Sequence, residues 1–390
     1  HAIDSETANP FQAYQATRYV DTAIPHIPVT AHGLKENGYA TIATTNWLPY
    51  SWSINNVAFA EVMHTALSYF QAGRADAGYK LLKSSVLDGM YLGDSPGNFG
   101  QISFYDAARG ECYRDFGDPI GVASRVLIQG LFGILPDALN QQIILRPGFP
   151  DDWDKASVST PDISYRFTRK EDTDTYHITQ RFQTPLHPVL HVNARKEKIR
   201  SVKVNGVPAT WQSIESAHGY PLLSIQAEGT SSTTTIEWEG APLHTLAVQE
   251  PVITSNGKLA LQIPSGASIS QVYDPQSVLA KHTVEATAFN AQLKGEPGHH
   301  TFFVYTHQGE MDWWQPVNIY IENTRKAPSY TDFADIRPEK CRMIDFDRQL
   351  NASVTDIYQN EYLSPRSPYT TLQLPTQGIG EWCHPLLSAT

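Results

Sequence analysis

The chain has 390 residues, 41% of them hydrophobic and 18% charged, with eight tryptophans and a formal net charge of −11. That length sets an expectation of roughly two to three domains, and an acidic balance without any Lys/Arg-rich run argues against nucleic acid and anionic membranes, both of which are held by clustered positive charge. No apolar run approaches about 18 residues, so no membrane span is expected, and the scattered Cys112, Cys341 and Cys383 form neither a disulfide framework nor a zinc pattern.

The start, His1-Ala2-Ile3, carries no charged-then-apolar leader pattern, and its first residue reads as a processed or tag-derived end. The first strong helix signal follows Ser53: Val57, Ala60, Met63, His64, Leu67 and Phe70 fall on one face, and Gly73 supplies the stop. A second helix is expected over 75–87, with Gly78, Leu81, Leu82 and Ser85 on its inner stripe, making a helical hairpin joined at Gly73-Arg74. The segment from Gly93 to Asp118 reads as one long, glycine-rich and aromatic loop. It ends in Gly110-Glu-Cys-Tyr-Arg-Asp-Phe-Gly-Asp-Pro-Ile-Gly121, which crowds three carboxylates around Arg114. Ile120, Ala123, Val126, Leu127, Gly130, Leu131 and Ile134 then recur at three- and four-residue steps, predicting one buried helix face.

Near Arg146-Pro-Gly-Phe-Pro150 the period switches to alternation. Ser157–Thr160, Ile163–Phe167, Tyr176–Phe182, Ile199–Val204 and Thr233–Trp238 predict an antiparallel β-sandwich, with Asn205-Gly206 as a tight turn. A second β-rich block is expected over 241–323, with strands at Lys258–Ile263, Ile269–Tyr273 and Thr301–Tyr305. Residues 324–390, rich in Tyr, Pro and Thr, read as an irregular tail wrapped over other parts. No internal repeat is apparent.

The order of these parts carries a resemblance. The segments Gly121-Val-Ala-Ser-Arg-Val-Leu-Ile-Gln-Gly-Leu-Phe-Gly-Ile-Leu-Pro-Asp137, Leu145-Arg-Pro-Gly-Phe-Pro150 and Ala156-Ser-Val-Ser-Thr-Pro-Asp-Ile-Ser-Tyr165 resemble the end of the catalytic toroid and the start of the β-sandwich in six-hairpin glycosidases of the bacterial α-L-rhamnosidase type. Trp52–Val57 and Tyr69–Tyr79 are similar to a late toroid hairpin, and Tyr362–Pro385 resembles a segment of large polysaccharide-utilisation proteins of Bacteroidetes. The resemblance implies a fold of mixed α and β domains: the C-terminal hairpins of an (α/α)6 toroid over 1–145, followed by antiparallel β-sandwich domains at 146–240 and 241–323. A complete toroid needs more helices than the sequence before Pro147 supplies. The expectation is therefore a C-terminal part of a longer polypeptide, whose missing upstream part is a partner. A periplasmic or secreted location is implied in the same way.

What the resemblance implies for function is hydrolysis of a glycosidic bond in plant or algal polysaccharide fragments, with α-L-rhamnosidase-like action and an inverting course. That chemistry needs one carboxylic acid to protonate the leaving oxygen and a second carboxylate to activate water or attack carbon. Glu111, Asp115 and Asp118 are the candidate carboxylates. Asp118 has a rival reading as the cap of a helix starting at Pro119, and Asp115 one as an ion-pair partner of Arg114 or Arg109. Sugar rings offer apolar faces to aromatics and hydroxyls to amides and carboxylates, so Trp47, Trp52, Asn55, Glu61, Tyr105 and Arg114 are candidate contacts for an oligosaccharide or polysaccharide substrate. The tryptophans before the helix read equally as a hydrophobic staple, and Glu61 as a solvated helix residue. Trp313-Trp314 is read as an interdomain anchor before a carbohydrate platform. No cofactor or metal is expected. Two other classes stay open: a non-catalytic carbohydrate-binding or scaffold protein, and a polysaccharide lyase.

Overall fold

The structure is a computed structural model, described here for residues 1–30, 33–46, 54–91, 104–106, 111–113, 117–246 and 250–322. Two compact units divide these residues. The larger takes His1–Arg18, Ser68–Tyr79 and 127–322, and the smaller takes Tyr19–Leu67 and Lys80–Val126.

In the larger unit, alternation builds the first sandwich. Strands Lys155–Ser159, Ile163–Lys170, Thr173–Gln180, Lys196–Val204, Val207–Pro208 and Ser231–Pro242 form a six-stranded antiparallel sheet. Every second residue turns inward, burying Tyr165, Phe167, Tyr176, Ile178, Ile236 and Trp238. Asn205 and Gly206 both take positive φ, 52° and 81°, as a two-residue hairpin turn requires. A five-stranded sheet runs in the spatial order Trp211–Ser213, Leu222–Gln226, His187–Asn193, Gln142–Leu145, Ile134–Asp137, with His187–Asn193 parallel to Gln142–Leu145.

The second sandwich pairs a four-stranded sheet (Val252–Thr254, Ala267–Tyr273, Gly298–Gln308, Met311–Glu322) with a three-stranded one (Lys258–Gln262, Leu279–Val284, Ala288–Leu293). Leu259, Phe289, Leu293, Phe302, Val304, Val317 and Ile319 form its core. Each such side chain contributes about 1.5–3 kcal/mol on burial. The two sandwiches are spliced by main-chain hydrogen bonds: Trp314 N–H donates to Ala217 O and Gly219 N–H donates to Trp314 O, both at 2.9 Å, and Glu310 N–H donates to Glu197 O at 2.7 Å. Trp313 is 1% exposed.

Helix α1, Pro10–Ala23, was not anticipated. It opens with a reciprocal cap, in which Gln12 N–H donates to Asn9 Oδ1 and Asn9 N–H to Gln12 Oε1. In the larger unit its Phe11 ring stands 4.3 Å from His218, and Asn318 Nδ2 donates to Tyr14 Oη at 3.0 Å. Helices α2, Phe59–Gln71, and α3, Ala75–Val86, follow the periodicity read from the sequence. Ala60, Met63, Leu67 and Phe70 are buried along α2 and Gly73 closes it with φ +75°, whereas Val57, expected on the same helical face, lies in the strand Ile54–Ala58 that precedes it.

The toroid expectation is overturned. Among the described residues there are four α-helices against twenty-four strands, and the chain is mostly β, in several sheets. The physical reason lies after Pro119. Helix α4, Asp118–Arg125, is short, a π-helical turn runs Val126–Leu131, and Gly133 at φ +63° turns the chain into the strand Ile134–Asp137. Ile120 and Leu127, expected on a buried face, are 53% and 41% exposed. The expected single loop over Gly93–Asp118 is also corrected, because it contains strands Phe104–Asp106 and Glu111–Tyr113. The tail 324–390 lies outside the described residues.

Candidate functional site

Two places in the fold gather chemistry-bearing residues. The first, in the smaller unit, is a four-stranded antiparallel sheet in the order Thr45–Asn46, Ile54–Ala58, Phe104–Asp106, Glu111–Tyr113. Its register sets Asn56 opposite Asp106, and Asp106 opposite Glu111. These three residues therefore share one row of the backbone register across three strands. Tyr105 occupies the next row, between Val57 and Cys112. Asp106 was not singled out from the sequence, since a segment read as loop gives no register.

The other expected residues are distributed as follows. Asn55 lies in the strand Ile54–Ala58. Glu61 is exposed in the first turn of α2. Asp118 is the first residue of α4 and exposed, while the cap position itself is Gly117, without a side-chain capping bond. Trp47, Trp52, Arg114 and Asp115 lie outside the described residues.

The second place is a cavity of about 330 Å³ within the larger unit. The C-terminal turn of α2 brings Phe70 and Gln71, the end of the strand Gln142–Leu145 brings Arg146, and the loop before Leu222 brings Ile214 and His218. Glycine makes the close approach possible: a Cβ on Gly73 would stand 3.3 Å from His218 O and 3.5 Å from Arg146 Nη2. Gly130 and Gly148 admit the Phe70 ring, and added Cβ atoms there would meet it at 2.6 and 2.4 Å.

The electrostatics of this cavity are unusual. Arg146 makes no ion pair among the described residues, and its one hydrogen bond reaches Gln71 O at 3.5 Å, at the negative end of α2. Its residue surface is partly exposed, yet the guanidinium is desolvated enough to lower its pKa. His218 is 8% exposed and bonds the carbonyl of Ser216 through Nδ1. Because a carbonyl only accepts, Nδ1 carries the proton and Nε2 is left as an acceptor. Burial, reinforced by Arg146 and partly opposed by the Ser216 bond, takes the imidazole down to about 4. His191, which also lines the cavity, is lowered by burial and then by Arg146. His218 Nε2 and Gln71 Oε1 are buried without a hydrogen-bond partner. The amide orientation of Gln71 is fixed by Nε2, which donates to Asp4 Oδ1 at 3.0 Å.

Among the described residues no group of three or more His, Cys, Asp or Glu is placed to hold a metal ion, and no helix is long and apolar enough to cross a membrane. No family model matches the chain, and no curated protein matches it. Solved structures similar to parts of it include an α-L-rhamnosidase from Dictyoglumus thermophilum, at 15% identity and TM-score 0.28, over 45% of this chain and 21% of that one. A chain described as a glycoside hydrolase is similar at 10% identity and TM-score 0.24, over 76% of this chain and 58% of that one. The N-terminal Ig1-2 module of the Drosophila receptor protein tyrosine phosphatase DLAR is similar at 10% identity and TM-score 0.16, over 39% and 91%. The chain thus spans about a fifth of the rhamnosidase's length.

Proposed function

We propose that this chain belongs to a carbohydrate-active hydrolase and that Asp106 and Glu111 are its carboxylate pair. The observation that supports the reading is the register that sets these two residues directly opposite one another, with Asn56 level with them on the next strand. Directly opposed residues of an antiparallel pair stand about 5 Å apart. Cleavage of a glycosidic bond asks for two carboxyl groups at close quarters, one protonated to release the leaving oxygen and one ionised to activate water or attack carbon. An amide in the same row suits a sugar hydroxyl, and Tyr105 and the upstream Trp47 and Trp52 are the aromatic candidates for its apolar face. Exposed at a helix start, Asp118 is a bystander in this reading.

The test uses the full chain and its Asp106→Asn, Glu111→Gln and Asp118→Asn variants against a panel of plant oligosaccharides, with reducing-sugar and mass detection. Product release by the wild type and by Asp118→Asn, falling about 10²–10⁴-fold in each of the other two, is the expected result. Saturable binding without product in every form would replace the hydrolase with a carbohydrate-binding protein. A product absorbing in the ultraviolet would mark an eliminating enzyme.

A further inference from the structure

We infer that the cavity lined by Arg146, His218 and Gln71 is a binding site for a sugar acid, a single polyhydroxylated ring or chain carrying one carboxylate. The site is separate from the opposed carboxylates proposed above and does not depend on them. It is the one place among the described residues where a cation without an ion pair and two buried acceptors without partners line a single cavity.

The chemistry of the ligand follows from what each wall lacks. A partly exposed guanidinium that makes no ion pair keeps its fork of donors open, and a planar carboxylate meets that fork with two parallel bonds. Buried acceptors left unpaired cost free energy as well, so His218 Nε2 and Gln71 Oε1 call for donors. A carboxylate has none, but hydroxyl groups do. Neither acceptor can be turned into a donor by local rearrangement: Nδ1 of His218 holds the ring proton against Ser216 O, and the Gln71 amide is held by Asp4. Phe70, Leu135 and Ile214 supply apolar wall for C–H faces. The size agrees, because about 330 Å³ lies at the lower end of the ~300–1,000 Å³ typical of small-molecule sites. Glu6, exposed at the same cavity, makes no ion pair with Arg146, so a neutral sugar would leave the guanidinium without a carboxylate partner, and a bare anion such as phosphate would offer hydrogen-bond donors poorly matched to two separate acceptors.

The measurement is calorimetric titration of the full chain with D-glucuronate, D-glucose, acetate and inorganic phosphate at pH 7. Glucuronate is expected to bind saturably, and the other three at least about tenfold more weakly. Arg146→Gln should lower glucuronate affinity about tenfold or more, as for a charge-assisted contact, and remove the preference over glucose. His218→Phe keeps the ring packed against Phe11 while deleting the acceptor, so it should weaken glucuronate and leave the thermal midpoint near that of the wild type. This second variant carries the test if Arg146→Gln fails to fold. Glu111→Gln should bind glucuronate as the wild type does, which separates this site from the hydrolase reading. No saturable glucuronate binding, binding no tighter than phosphate, or binding unchanged in a folded Arg146→Gln or His218→Phe would each overturn the inference.

Discussion

Trp238 Nε1 donates a hydrogen bond to Asp174 Oδ2 at 3.1 Å inside the first sandwich, where the carboxylate is 1% exposed. The other oxygen, Oδ1, accepts from Arg169 Nε at 3.0 Å and from Arg195 Nη1 at 3.1 Å. One buried charge thus ties three strands and Arg195, just before the strand Lys196–Val204, through three hydrogen bonds to its two oxygens. Removing a member of such a cluster strands the remaining charges, so Asp174→Ala should cost about 3–5 kcal/mol. Urea unfolding followed by tryptophan fluorescence reads the loss, and an unchanged midpoint would contradict it.

Gly133 is the second pressure point. A Cβ there would lie 1.8 Å from Arg146 O, and the backbone sits at φ +63°. Both the left-handed conformation and the carbonyl contact oppose a side chain, so Gly133→Ala should destabilise by about 3 kcal/mol. The same substitution at Gly206, where φ is +81° but nothing lies within 4 Å of the added carbon, should cost less. Comparing the two thermal midpoints separates steric clash from backbone strain.

Stability should also depend on pH through His218. Its ordinary value of 6.5 falls to about 4 in the folded chain, chiefly by burial. Between those values the unfolded chain holds a proton that the folded chain does not, so stability rises with pH. It is lost as pH falls from 6.5 towards 4, by about 3 kcal/mol at most. His191, facing the same cavity and shifted the same way, adds to the slope. The difference between wild type and His218→Phe, followed by denaturant midpoints from pH 4 to 7, isolates the first imidazole. Parallel curves would refute its part.

In the second sandwich Phe289 is fully buried and stacks on Phe302 at 5.5 Å. Phe289→Ala should cost about 3–5 kcal/mol. Val252 in the same sandwich is 64% exposed, and Val252→Ser should stay within about 0.5 kcal/mol. Denaturant melts of the two variants make the comparison directly.

The β-strands were legible where alternation met a turn signal. Ile163–Lys170 and Lys196–Val204 show it, the latter closed by Asn205-Gly206. Helix α2 was legible because its buried positions recur at helical spacing and end at a glycine. The reading failed where one period served two conformations. Val126 to Ile134 keeps helical spacing, but its winding loosens into a π turn and then breaks at Gly133. Helix α1 escaped notice because only Ala13, Tyr14 and Thr17 along it are buried. The cavity was out of reach, since Gln71, Arg146 and His218 are brought together by tertiary packing alone. Glu111 was picked out by composition, whereas its opposite residue, Asp106, needed the strand register.

The splice at Trp314 reaches beyond architecture. Ala217, His218 and Gly219 hold Trp314 through two main-chain hydrogen bonds, with His218 as the bridging residue. The amide of Gly219 cannot meet solvent until that strand-to-loop junction opens, and the amide of Trp314 is released by the same event. Their hydrogen exchange should therefore share one lifetime although they are far apart in sequence. A molecule seated on His218 would lengthen that lifetime, so occupancy of the cavity in the first sandwich would be registered as slower exchange in a strand of the second.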